Sequence, residues 1–197
     1  MTTGQRRASR SRVTKETSVQ VELGLDGEGR ATVDTGLPFF DHLLDQLGRH
    51  GGLDLTVKAV GDLEVDAHHT VEDVGIVLGS TLAEALGDKA GVRRFASALL
   101  PLDEALIQVA LDLSGRPYLA YSVELAPVLV GSFDPQLAEE FWRAFVISAG
   151  VALHVHSLSG KNAHHVLEAS FKGVARALGD AVRRDGSSQL PTTKDAW

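Results

Sequence analysis

All eight histidines of this 197-residue chain fall in two stretches, 42–69 and 154–165. Each stretch closes on one pattern: His68-His69-Thr70-Val71-Glu72 in the first, His164-His165-Val166-Leu167-Glu168 in the second. On a helix, a histidine and a glutamate three or four residues apart share a face. The neighbouring histidine is turned about 100° around the axis. One motif can thus serve two metal centres, as Glu-x-x-His pairs do in di-metal helical sites. Imidazole and carboxylate without sulfur suit Mn, Fe, Co or Zn, and hard carboxylates with open positions lean toward an octahedral ion. The chain has no Cys, which excludes thiolate metal sites, disulfide frameworks and cysteine nucleophiles.

The two motifs belong to a repeat. A shift of 96 lays Asp66-Ala67-His68-His69-Thr70-Val71-Glu72 on Asn162-Ala163-His164-His165-Val166-Leu167-Glu168. Asp66 and Asn162 are both good N-caps for the helix that follows. This indicates a duplicated α/β unit and a site with two-fold pseudosymmetry. Four His and two Glu are few for two octahedral ions, and the repeat supplies further candidates. His42, after Pro38-Phe39-Phe40-Asp41, precedes His68 by 26 residues; Glu140, before Phe141-Trp142, precedes His164 by 24. His42 and Glu140 are therefore the seventh and eighth candidate ligands. His154 remains a candidate, since one face of its strand points inward, whereas His156 and His50 read as surface residues.

The elements that must position these groups follow from hydrophobic periodicity. Residues 1–12, basic and nearly free of apolar side chains, predict a disordered arm. In the first repeat half, 13–90, Val19, Val21, Leu23 and Leu25 alternate as a strand, and Asp26–Gly29 turns the chain into a second strand at Arg30–Val33. A short helix after Pro38 ends near Gly48, and Leu53, Leu55 and Val57 mark another strand. A helix then runs from His69 to Leu86 and stops at Gly87. In the second half, 91–186, Ala105–Leu113 and Tyr118–Leu125 read as a hairpin around Ser114-Gly115-Arg116-Pro117. Pro135–Ala149 reads as a helix capped by Asp134, Val151–Val155 as a strand and His165–Val182 as a helix. The tail, 187–197, is polar and irregular. Each half thus runs strand hairpin, helix, strand, helix, within one catalytic domain of α/β (α+β) class.

Lys+Arg minus Asp+Glu is 19 − 26 = −7, which argues against a nucleic-acid binder. No apolar run approaches the roughly 18 residues that span a bilayer. No apolar segment follows Arg6-Arg7, so an export signal is not expected. The expectation is a soluble, cytoplasmic protein.

Taken together, Gly36-Leu37-Pro38-Phe39-Phe40-Asp41-His42, Asp66–Asp73, Leu102-Asp103-Glu104-Ala105, Gly115-Arg116-Pro117 and Gly160–His165 with Glu168 and Phe171-Lys172 resemble the imidazoleglycerol-phosphate dehydratase family of histidine biosynthesis. The likeness covers roughly residues 13–194. It implies two Mn²⁺ ions per subunit and a duplicated fold of the ribosomal-S5-domain-2-like kind, with antiparallel or mixed sheet and helices on one face. It also implies a homo-oligomer of twenty-four subunits with metal sites between neighbours. The family's ligand positions fall on His42, His68, His69, Glu72, His164, His165 and Glu168. The eighth, often His in the family, is Glu140 here. The family's C-terminal Pro-Ser-Thr-Lys-Gly reads Pro191-Thr192-Thr193-Lys194-Asp195, placing an acid near the implied phosphate site.

The implied reaction dehydrates D-erythro-imidazole glycerol phosphate to imidazole acetol phosphate. The departing proton sits on a carbon with no carbonyl beside it. Two Lewis acids on the ring nitrogens would spread the charge through an imidazolate/diazafulvene-type intermediate. Glu16, in Thr14-Lys15-Glu16-Thr17, matches a substrate-contacting position and ranks first as proton carrier, ahead of a metal-bound water; Glu72 and Glu168 join it in the implied catalytic set. Asp103 and Glu104 are supporting groups. Arg94, Arg116, Lys172, Thr192, Thr193 and Lys194 are the implied phosphate contacts, and Gln46, one turn beyond His42, reaches toward substrate hydroxyls. Two rival readings are a di-metal hydrolase, disfavoured by the imidazole-rich ligand set, and a protein that only stores metal, which has no use for Arg94, Arg116 and Lys172.

Overall fold

Apolar alternation in the central strands and 3.6-residue apolar stripes in the helices shape two matching halves, each with four strands and two helices among the described residues. The computed structural model describes residues 6–125, 127–187 and 189–193. The first half contains β1 (Arg7–Val13), β2 (Thr17–Gly24), β3 (Ala31–Asp34), α1 (Pro38–Gly51), β4 (Asp54–Gly61) and α2 (His68–Leu86). The second contains β5 (Phe95–Leu102), β6 (Ala105–Asp112), β7 (Tyr118–Ser122), α3 (Leu137–Ala149), β8 (Ala152–Ser159) and α4 (Ala163–Val182). The two sheets have the matching orders β1-β2-β4-β3 and β5-β6-β8-β7. In each the last pair is parallel and the others antiparallel. This is a mixed α/β architecture with a duplicated unit.

Each sheet turns one face inward. Val19, Val21 and Leu23 of β2 and Leu55 and Val57 of β4 are buried, as are Ile107, Val109 and Leu111 of β6 and Leu153 and Val155 of β8. The helices lie on those faces and pack on each other across the halves, α1 against α4 and α2 against α3. Trp142, Phe40, Phe141, Phe145 and Phe171 fill the centre. Phe141 lies 5.4 Å from Phe40 and 5.5 Å from Phe171, centroid to centroid, so one aromatic cluster joins three helices. Glycines let helix backbones approach closely: a Cβ on Gly75 of α2 would sit 2.7 Å from the Phe141 carbonyl oxygen of α3.

Three expectations need correction. Residues 7–12 are strand rather than disordered arm, because β1 pairs along its length with β2. Its side chains give no apolar signal: Ala8 alone is buried, while Arg10 and Arg12 reach Glu84 and Asp73 at 2.6 and 2.9 Å. Second, β5, at the same edge of the other sheet, was not anticipated at all. Third, the two hairpins do not form. β4 inserts between β2 and β3, and β8 between β6 and β7, so β3-α1-β4 and β7-α3-β8 are strand–helix–strand crossovers. The Asp26–Gly29 turn is held instead by Asp54 at the start of β4, whose carboxylate accepts from the amides of Glu28 and Arg30 at 2.9 and 3.1 Å.

Candidate metal centre

The repeated motifs open α2 and α4 through the same local chemistry. Asp66 Oδ1 accepts from the His68 amide at 2.8 Å, and Asn162 Oδ1 from the His164 amide at 3.0 Å. These bonds satisfy helix-terminal donors and fix where each histidine pair leaves the helix. The expected cap on α3 is looser: Asp134 accepts from the Gln136 amide, and the helix begins at Leu137.

The second motif meets α1. His42 Nε2 and His164 Nε2 lie 3.3 and 2.9 Å from Glu168 Oε2, and Lys172 Nζ lies 2.5 Å from Glu168 Oε1. Burial pushes the Glu168 carboxyl up, but Lys172, His42 and His164 outweigh it and bring its pKa down to about 2. Phe39 walls the group, 5.0 Å from the His164 ring. One ligand atom from each of His42, His164 and Glu168 lies within 4.8 Å of the others. His42 Nε2 is buried and poorly aligned for a hydrogen bond to Glu168, an orphaned nitrogen that a cation would satisfy. These three side chains fit a divalent metal.

The second histidine of each pair is oriented by a carboxylate. His69 Nδ1 lies 3.1 Å from Asp62 Oδ2 and 3.9 Å from Glu16 Oε2. His165 Nδ1 lies 2.8 Å from Glu104 Oε2, while Asp103 stands 3.8 Å from its Nε2. Asp62 raises the His69 pKa and Glu104 raises that of His165. Glu104 in turn is drawn down to about 2 by His165 and by the amides of Asn162 and Lys161. A carboxylate on Nδ1 fixes the ring and leaves Nε2 for a metal, the usual outer-shell arrangement of a ligating histidine.

The first motif is not closed in the same way. His68 lines a cleft of about 430 Å³ with Asp66, Asp134 and Leu137, and Glu140 lines a neighbouring one with Tyr121, Glu139 and Asp134. Measured back from their αL C-caps, Gly52 and Gly150, His42 and Glu140 occupy the same position on α1 and α3. Yet among the described residues His68, His69, Glu72 and Glu140 form no cluster comparable to the one around Glu168. Glu72 is half-buried on α2.

The expected phosphate contacts divide. Arg94, Arg116, Thr192 and Thr193 line one cleft of about 460 Å³. Arg94 is pinned there by Asp112 at 2.7 Å and donates to the Pro191 carbonyl at 2.7 Å. Lys172 instead belongs to the Glu168 cluster, and Lys194 and Asp195 lie outside the described residues. Gln46 Oε1 is 2.9 Å from His50 Nε2, one turn along α1. His154 and His156 stand on the outer face of β8, His154 exposed and 5.5 Å from the Tyr118 ring. Asp62 was missed by sequence reasoning. Its signal is positional, directly after β4 and seven residues before His69, and the shorter second-half loop has no counterpart to reveal it.

A duplicated α/β fold with repeated histidine–carboxylate motifs at two helix starts defines a class of scaffold with side chains placed to hold a metal. Residues 35–178 match the family of imidazoleglycerol-phosphate dehydratase. The chain is 57% identical over 191 residues to the imidazoleglycerol-phosphate dehydratase of Acidothermus cellulolyticus, covering 97% of this chain and 93% of that one. It resembles the crystal structure of the Staphylococcus aureus enzyme at 38% identity and TM-score 0.82, over 90% of this chain and 99% of that one. The Pyrococcus furiosus enzyme, solved in complex with (S)-C348, matches at 34% identity and TM-score 0.83, over 95% and 100% of the two chains. The chain belongs to the imidazoleglycerol-phosphate dehydratase family, and is a dehydratase, an enzyme of the hydro-lyase kind.

Proposed function

We propose that this chain dehydrates D-erythro-imidazole glycerol phosphate to imidazole acetol phosphate in histidine biosynthesis, in the cytoplasm, with two Mn²⁺ per subunit. The observation that carries the reading is the His42–His164–Glu168 cluster, built on the repeated motif in a member of this family. The proposed ligand set adds His68, His69, Glu72, Glu140 and His165. Held by these residues, Mn²⁺ would supply Lewis acidity toward the imidazole of the substrate.

The chain's own residues do the rest. Arg94 and Arg116, with the hydroxyls of Thr192 and Thr193, offer a cationic cleft for the phosphate. Asp112 fixes the Arg94 fork in advance, which lowers the cost of ordering it on binding. Glu16, with its side chain 55% exposed and 3.9 Å from His69, takes the proton from the hydroxyl-bearing carbon one removed from the ring or delivers one to the hydroxyl that leaves the ring-attached carbon as water. The enol then relaxes to the ketone. The separation of His68, His69, Glu72 and Glu140 within one chain supports a homo-oligomer, of twenty-four subunits by family likeness, in which neighbours complete the sites.

The test is dehydration of the substrate by metal-stripped protein, with and without Mn²⁺. Keto product only with Mn²⁺ is the expected result. Absence of product from protein holding two metals per chain overturns the reading, and turnover of generic phosphate esters instead points to the hydrolase.

A further inference from the structure

Glu16 and Glu104 hold equivalent places, each the residue just before the second strand of its sheet. They are held differently. Glu104 is committed: its carboxylate accepts from two backbone amides and faces His165. The Glu16 side chain is left open to solvent, and its backbone is tied down instead. Thr14 Oγ1 accepts from the amides of Glu16 and Thr17 at 3.1 and 2.9 Å and lies 3.2 Å from Thr17 Oγ1. Thr17 Oγ1 donates to Asp73 Oδ2, and Asp73 Oδ1 accepts from Arg12 Nε at 2.9 Å. Thr17 and Asp73 are 4% and 6% exposed, so the central Thr17–Asp73 link of this network lies inside the protein, where hydrogen bonds in series reinforce one another.

Asp73 stands one turn beyond His69 on α2. One helix face therefore holds the histidine beside Glu16 and the anchor of the turn that carries Glu16. In the second half Thr17 corresponds to Ala105 and Asp73 to Ala169, and no such tether exists. We propose that Asp73, acting through Thr17 and Thr14, is a positioning residue that sets the Glu16 carboxylate for proton transfer. The proposal rests on the dehydratase reading and on Glu16 as proton carrier.

The test uses Mn²⁺-loaded enzyme carrying Thr17→Val, Thr17→Ser, Glu16→Gln, and Glu16→Gln with Thr17→Val, each checked for metal content and melting temperature. Misplacing a catalytic group slows chemistry more than it weakens binding, so Thr17→Val lowers kcat by about tenfold or more with KM within about twofold. Thr17→Ser, which keeps the hydroxyl, recovers most of kcat. The double variant is no slower than Glu16→Gln alone, since the tether acts through a group already removed. Amide exchange at Glu16 and Thr17 is faster in Thr17→Val than in wild type, a readout independent of turnover. Full kcat in Thr17→Val, multiplicative losses in the double variant or unchanged amide exchange overturns the proposal. Full kcat in Glu16→Gln overturns it through its premise. Failure of wild type to form keto product overturns the dehydratase reading beneath it, and the wild-type control tells the two apart.

Discussion

Glu168 stays charged although it is only 14% exposed, because Lys172 and two histidine rings surround it. A carboxylate held in that state is ready for a cation without first losing a proton. Glu168→Gln keeps the shape and removes the charge, and should weaken Mn²⁺ affinity by at least about tenfold, read as metal retained after dialysis against a buffered chelator. The His165–Glu104 contact makes a second prediction, in metal-free protein. Glu104 lies well below its ordinary value, so its contribution to stability is present above pH 4.5 and fades as pH falls toward about 2. His165 is raised, so its contribution is complete below pH 6.5 and is lost as pH climbs through the higher native value. Glu104→Gln should return the His165 titration, followed by NMR, toward the ordinary imidazole range; an unmoved midpoint would refute the assignment. At this scale the histidines and Glu168 were legible because the repeat displays them twice. Asp62, Thr17 and Asp73 were not, since a single carboxylate or hydroxyl acquires meaning only from a partner brought to it by folding.

The helices were legible from apolar spacing. α2 and α4 were expected from His69 and His165, one and two residues inside their actual starts. The edge strands were not, because β1 forms by backbone pairing and arginine contacts rather than by an apolar face. Pairing order was hidden for a related reason: a turn signal tells that the chain reverses, not that a later strand will insert. Helix contacts carry a prediction of their own. Gly79 of α2 faces the backbone of α3, where a Cβ would press into the Phe145 carbonyl oxygen. Alanine ordinarily stabilises a helix interior relative to glycine by about 1 kcal/mol. Here the overlap should reverse the sign, and Gly79→Ala is expected to cost about 1–3 kcal/mol in urea denaturation.

Between the two sheets the helices of one half meet those of the other, α1 on α4 and α2 on α3, around one aromatic cluster, so neither half encloses its core alone. Unfolding of the metal-free chain should be one cooperative transition, with fluorescence and far-ultraviolet circular dichroism giving coincident curves. Two separated transitions would mean that the halves are independent. If neighbouring subunits complete the proposed sites, chelation should also loosen the assembly; a chelated particle of unchanged size in analytical ultracentrifugation would count against that. The duplication itself was readable from the residues that chemistry repeats. The way the halves meet was not, because periodicity says which stripe of a helix is apolar and nothing about which other helix will cover it.

The unequal treatment of Glu16 and Glu104 has a consequence for symmetry. Two identical half-chains related by a two-fold axis must give their equivalent carboxylates the same surroundings, so both would be free or both clamped. Covalent joining lifts that constraint. One carboxylate can then be sacrificed to hold a ring in place while its twin is kept at liberty, a division of labour closed to any perfectly symmetric pair.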